Sequence, residues 1–206
     1  MWVTTGMIQN KIIGVTGITG SGTSTVSAIL AEAGGFVISA DKLAHEVMQK
    51  GQPVYEKILK QFLAPGILLP NGEINRRVLG SMVFSNTQKL ALLESLIHPE
   101  VIAKTQELLS QACCYPFAVI DAPLLIESEM HKICDYVWLI TAPDDIRVSR
   151  IKARDGIDAK TATRRLKSRK GDGFLRSYVD VVIQNDGELK DLQQVVIGYL
   201  QKGRIL

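Results

Sequence analysis

The segment Gly17-Ile18-Thr19-Gly20-Ser21-Gly22-Thr23-Ser24 restricts what this chain can fold into more than any other. It follows a short apolar run at 11–16 and precedes a helical pattern at 23–33 with Val26, Ile29 and Leu30 on one face. Glycine, four residues, glycine, then Thr23-Ser24 between a strand and a helix is the spacing of a phosphate-binding loop. The glycines let backbone N–H groups converge on phosphate oxygens, and the helix N-terminus adds a favourable dipole. The plain alternative is a turn that only reverses the chain. Gly17, Gly20, Ser21, Gly22, Thr23, Ser24 and Thr25 are the candidate nucleotide contacts, with the Ser24 hydroxyl placed for Mg²⁺.

The rest of the chain alternates in the same way. Gly34-Gly35 closes the first helix, and 36–39 is a second strand with Asp41 at the start of the next helix. Residues 53–111 have helical periodicity, interrupted by turn signals at Pro65-Gly66 and Pro70-Asn71-Gly72. His98-Pro99 is expected to break the long pattern near its middle, because proline disfavours helix for the residue before it. Strands follow at 117–121, 136–141 and 179–184, and helices at 144–154, 158–169 and 188–201. The order predicts an α/β fold with five parallel strands. The core would span 11–50, 117–142 and 179–200, with a helical substrate-binding insert at 53–111, a lid at 144–170 and an N-terminal extension at 1–10. Ligands of such sheets bind at the carboxyl ends of the strands. Those ends carry Gly17–Ser24, Asp41, Asp121 and Asn185, and the insert is expected to overhang them.

Composition narrows the class. The 206 residues carry a net charge of +3, which suits an anionic small ligand and is too little to argue for nucleic acid. No run approaches the ~18 apolar residues of a membrane span, and the N-terminus does not read as a signal peptide. Three cysteines, two of them adjacent (Cys113, Cys114), make neither a disulfide framework nor a zinc motif. A reducing, cytoplasmic setting is expected. No Asn-Lys-x-Asp element follows, which argues against a GTPase.

The loop departs from its pattern at Thr23, where a lysine ordinarily reaches the β- and γ-phosphates. Threonine has neither the charge nor the reach. A charge-assisted hydrogen bond contributes about 1.5–3 kcal/mol, so the loss amounts to about 10- to 150-fold where nothing compensates. Lys11 stands at the far end of the first strand, about 20 Å away, which leaves Lys42 and the arginines of 147–165 as freer candidates.

The chain resembles the dephospho-coenzyme A kinase family. The resemblance rests on Ile13-Gly14-Val15-Thr16-Gly17, Gly20-Ser21-Gly22-Thr23-Ser24-Thr25, Ser39-Ala40-Asp41 and Ile97-His98-Pro99. It continues through Asp121-Ala122-Pro123-Leu124-Leu125-Ile126-Glu127, Arg150-x3-Arg154-Asp155 and Asp180-Val181-Val182-Ile183-Gln184-Asn185-Asp186-Gly187. It covers residues 11 to 200. It implies a nucleoside-monophosphate-kinase-like fold, with ATP and dephospho-CoA as small-molecule substrates and Mg²⁺ accompanying ATP. The reaction implied is transfer of the γ-phosphate to the ribose 3′-hydroxyl of dephospho-CoA. No nucleic-acid or membrane partner is expected, and a monomer or weak homo-oligomer is.

Roles follow from resemblance and residue chemistry together. Asp41 is the candidate catalytic base, with helix capping as the competing role. Asp121 is a candidate Mg²⁺ ligand, or a carboxylate that only orients its loop. Arg150 and Arg154, four apart on a helix, share a face and suit phosphates, Arg150 on the ATP side and Arg154 on the acceptor side. Arg147, Arg164 and Arg165 would extend that basic lid, unless the run is only a solvated face. Arg76, His98, Leu124 and Glu127 are candidates for the dephospho-CoA pocket, against surface ion pairs or a structural hydrogen bond at the His98 break. Asn185 is expected beside the adenine, or in a plain turn.

Overall fold

A computed structural model describes residues 10–84, 86–167 and 172–203, apart from the side chains of Phe84, Arg165, Lys167 and Asp172. Residues 1–9 of the expected extension, 168–170 of the expected lid and the side chain of Arg165 therefore lie outside the described residues.

Five short apolar runs pair as one parallel sheet: β1 (Lys11–Gly17), β2 (Phe36–Ser39), β3 (Phe117–Asp121), β4 (Tyr136–Thr141) and β5 (Val181–Gln184). Their order is β2-β3-β1-β4-β5, so β1 is central and the chain builds outward from it to either side. That reversal creates a crevice at the carboxyl end of β1, where the glycine-rich loop begins. Register brings Asp121 level with Val15 of β1 and Ser39 of β2.

The strands are continuous rather than alternating in hydrophobicity because both faces of the central ones are buried. On one face Ile13, Val15, Phe117, Val119, Trp138, Ile140 and Ile183 form the main core. They meet Val26, Ile29 and Leu30 of α1 (Thr23–Glu32) and Leu192, Val196 and Leu200 of α9 (Leu189–Lys202). On the other face Gly14 leaves space for Leu125 and Cys134, whose side-chain atoms lie 2.6 and 2.8 Å from where a Cβ would stand.

The described residues form two compact units, one comprising the chain up to Ser39 and from Leu109 onward, the other residues 40–108. The second unit contains α2 (Ala40–Val47), α3 (Pro53–Gln61) and α4 (Arg76–Phe84). An antiparallel bridge, Leu68 to Ile74, joins the residues around the Pro70-Asn71-Gly72 turn. Most of α5 (Thr87–Ser110) also belongs here, and it corrects one expectation: the helix runs unbroken through Pro99. Proline removes the bond to the carbonyl four residues back, here that of Ser95. Both Pro99 and Ser95 are exposed, so water can take the place of the missing N–H.

In the first unit, α6 (Asp144–Asp155) and α7 (Ala159–Lys167) pack through Ile151, Ala162 and Leu166. Gly156 ends α6 in the left-handed conformation, and Asp158 accepts the Thr161 N–H at 2.7 Å to cap α7. That hydrogen bond holds the Asp158 carboxyl below its usual range. The short helix α8 (Asp172–Leu175) leads back towards β5.

Candidate active site

The loop leaves β1 at Gly17 and enters α1 through Gly22, the helix N-cap, whose φ of 93° is left-handed. Gly20 is also left-handed, and a Cβ there would stand 2.8 Å from the Arg147 carbonyl oxygen. A Cβ on Gly17 would meet the Ile140 carbonyl and the Ser21 hydroxyl, each at 2.6 Å. The glycines are thus required by close backbone approach as well as by conformation. No side chain caps α1, so its first turn presents N–H groups and the positive end of the helix dipole to an anion.

Thr23 is the first residue of α1 and is half-buried, its methyl packed towards Gly17, while Ser24 and Thr25 are exposed. Lys11 is held at the other end of β1 by Asp135, Nζ to Oδ1 at 3.0 Å, which raises its pKa. It cannot serve the loop.

Among the described residues, Arg150 reaches the loop. Its Nη1 donates to the carbonyls of Gly20 and Ser21, both at 3.4 Å, and Nη2 to Asn185 Oδ1 at 3.4 Å. Asn185, only 6% exposed, donates Nδ2 to the Ser21 carbonyl at 2.8 Å. The sequence reading placed Asn185 beside the adenine; its side-chain amide is engaged by the phosphate loop.

Of the other arginines in the basic run, Arg147 is buried and Arg154 is exposed. Arg147 is 5% exposed, donates to Asp144 at 2.7 Å and lends its backbone to the packing under Gly20. Arg154 forms a fork with Asp155, Nε to Oδ1 at 2.7 Å and Nη2 to Oδ2 at 3.1 Å, which raises its pKa. Arg164 is exposed and lines a shallow depression on α7 with Lys160.

Asp121 ends β3 beside β1, and the loop after it separates its two leucines. Leu125 is fully buried against the Gly14 position, whereas Leu124 is half-buried and Glu127 exposed. One unit therefore gathers Gly17–Thr25, Arg150, Asn185, Asp121 and Leu124 around the carboxyl ends of the strands.

Asp41, Arg76 and His98 belong to the second unit. Asp41 is the second residue of α2, inside its first turn and exposed, where its charge suits the positive end of the helix dipole. Arg76 Nη1 lies 2.5 Å from Nε2 of His45. Sequence reasoning passed over His45, although its spacing of four from Asp41 puts both on one face of α2. His98 is half-buried within α5.

The family model described as dephospho-CoA kinase matches residues 11–191. The chain belongs to the dephospho-CoA kinase family. A dephospho-CoA kinase of Carboxydothermus hydrogenoformans is 36% identical over 200 residues, spanning 95% of this chain and 96% of that relative. A solved structure of a Thermus thermophilus protein superposes with a TM-score of 0.78 at 30% identity, covering 94% of this chain and 97% of that one. Dephospho-CoA kinase from Campylobacter jejuni gives a TM-score of 0.68 at 28% identity, covering 93% and 96%. Membership makes the chain a phosphotransferase with a nucleotide-binding P-loop, and the five-stranded parallel sheet agrees with that family's fold. No helix among the described residues is long and apolar enough to cross a membrane.

Proposed function

We propose that this protein transfers the γ-phosphate of ATP to the ribose 3′-hydroxyl of dephospho-CoA, completing coenzyme A. The observation that carries this reading is the family match over residues 11–191, joined to an uncapped α1 behind a left-handed glycine loop. Gly17 to Thr25 bind the phosphates through backbone N–H groups. Phosphoryl transfer is mostly positioning and charge stabilisation, so the burden of this site falls on the loop and its cations.

Asp41 is the base that accepts the proton of the attacking hydroxyl. Its support is the family pattern and its position two residues beyond the end of β2. Arg76, His98, Leu124, Glu127 and Arg154 bind the acceptor. Arg150 reaches ATP from α6.

Mg²⁺ suits the donors available. Among the described residues no group of three or more His, Cys, Asp or Glu side chains is gathered for a metal. The Ser24 hydroxyl and the Asp121 carboxylate are hard oxygen donors, and Mg²⁺ is commonly held by one or two protein oxygens plus substrate phosphates. When bound, the ion would neutralise charge on the phosphates. A coupled assay with ATP, Mg²⁺ and dephospho-CoA tests the reading. No turnover from folded protein, or a preference for another alcohol, would overturn it. A catalytically weak nucleotide-binding role, the reading Thr23 alone suggests, predicts binding without turnover.

A further inference from the structure

The Ser21 carbonyl receives two donors, Asn185 Nδ2 at 2.8 Å and Arg150 Nη1 at 3.4 Å. A trans peptide holds its C=O and the following N–H in opposite directions within one plane. Tying the Ser21 oxygen to Asn185 therefore aims the Gly22 N–H the other way. Asn185 is itself fixed, because its backbone N–H donates to the Thr141 carbonyl at 2.7 Å and joins the end of β5 to β4. Its side chain also occupies the place a Cβ on Gly22 would take. Arg150 adds the Gly20 carbonyl and Asn185 Oδ1 to the same brace.

We propose that Asn185 is a positioning residue for the nucleotide: braced by Arg150, it holds the Ser21–Gly22 peptide so that the Gly22 N–H faces the ATP phosphates. The inference rests on the kinase reading only for ATP as ligand, not for the identity of the acceptor. It differs from an adenine contact in that the Asn185 side-chain amide acts on the Ser21 carbonyl and not on the base.

The test is Asn185→Asp, which keeps the shape and the acceptor for Arg150 but replaces the donor to Ser21 with a repelling oxygen. ATP binding is measured by calorimetry without acceptor, and the acceptor KM is measured at saturating ATP. The expected result is an ATP Kd raised about 10-fold or more with circular dichroism unchanged. The KM for dephospho-CoA should move by less than about 2-fold, a split that a general loss of structure would not give. If Asn185→Asp does not fold, Asn185→Ser is read the same way, since the shorter, uncharged hydroxyl cannot reach the Ser21 carbonyl that the Asn185 amide holds at 2.8 Å. An unchanged ATP Kd in a folded variant, or equal weakening of both substrates, overturns the proposal. A wild-type protein that binds ATP but ignores dephospho-CoA would overturn the acceptor reading alone.

Discussion

Asn185 donates its side-chain amide to the main-chain carbonyl of Ser21 at 2.8 Å, joining positions 164 residues apart. The contact makes the phosphate loop a tertiary object rather than a local turn. Its shape depends on the end of the last strand and, through Arg150, on α6.

Replacing Thr23 with lysine should restore the charge that the loop lacks. Steady-state kinetics of Thr23→Lys should show a higher kcat or a lower ATP KM, by up to about 10- to 150-fold where no other cation substitutes. Unchanged constants would mean that another cation already does this work, with Arg150 already against the loop.

Asp41→Asn keeps size and hydrogen-bonding shape but cannot accept the hydroxyl proton. It should lower kcat by about 10²- to 10⁴-fold. ATP affinity, read by calorimetry, should stay near that of the unmodified protein. A variant that retains most of its kcat would remove Asp41 from the role of base.

Burial pushes the Cys134 thiol up to about 12, so it should stay neutral and react slowly in the folded protein. Thiol titration at pH 8 should count Cys113 and Cys114, both exposed, and find Cys134 only after unfolding. The linkage has one sign. The folded pKa lies above the unfolded value of about 8.5, so the contribution to stability is complete below that pH. It is lost as pH rises towards 12, and chemical denaturation between pH 8 and 11 should show the decline.

Pro99→Ala should return the missing helical hydrogen bond to the Ser95 carbonyl within α5. Because the site is exposed, the substitution should fit without repacking and stabilise by about 1–3 kcal/mol. Urea denaturation reads it directly. A lower midpoint would show that the proline ring makes contacts worth more than the bond.

The elements most legible in the sequence were those whose cause is local. Strands 36–39, 117–121 and 136–141 coincide with β2, β3 and β4, because short apolar runs between turn signals have few alternatives. Pro99 misled because the local rule prices a proline by its lost bond, whereas the exposed side of α5 lets water offset the loss. Arg147 misled because a charged residue in a basic run is ordinarily read as solvated. It is buried where Gly20, more than a hundred residues earlier, lies close against its backbone.

By itself the sequence determined where phosphate can bind: glycine spacing, a preceding strand and a following helix are set by steric and hydrogen-bonding rules acting over a few residues. It also determined the family, through motifs in a fixed order along the chain. Only the tertiary structure decided which groups hold that loop in shape. A contact between Ser21 and Asn185 has no local signature, and arises because parallel pairing of β1, β4 and β5 brings their carboxyl ends together.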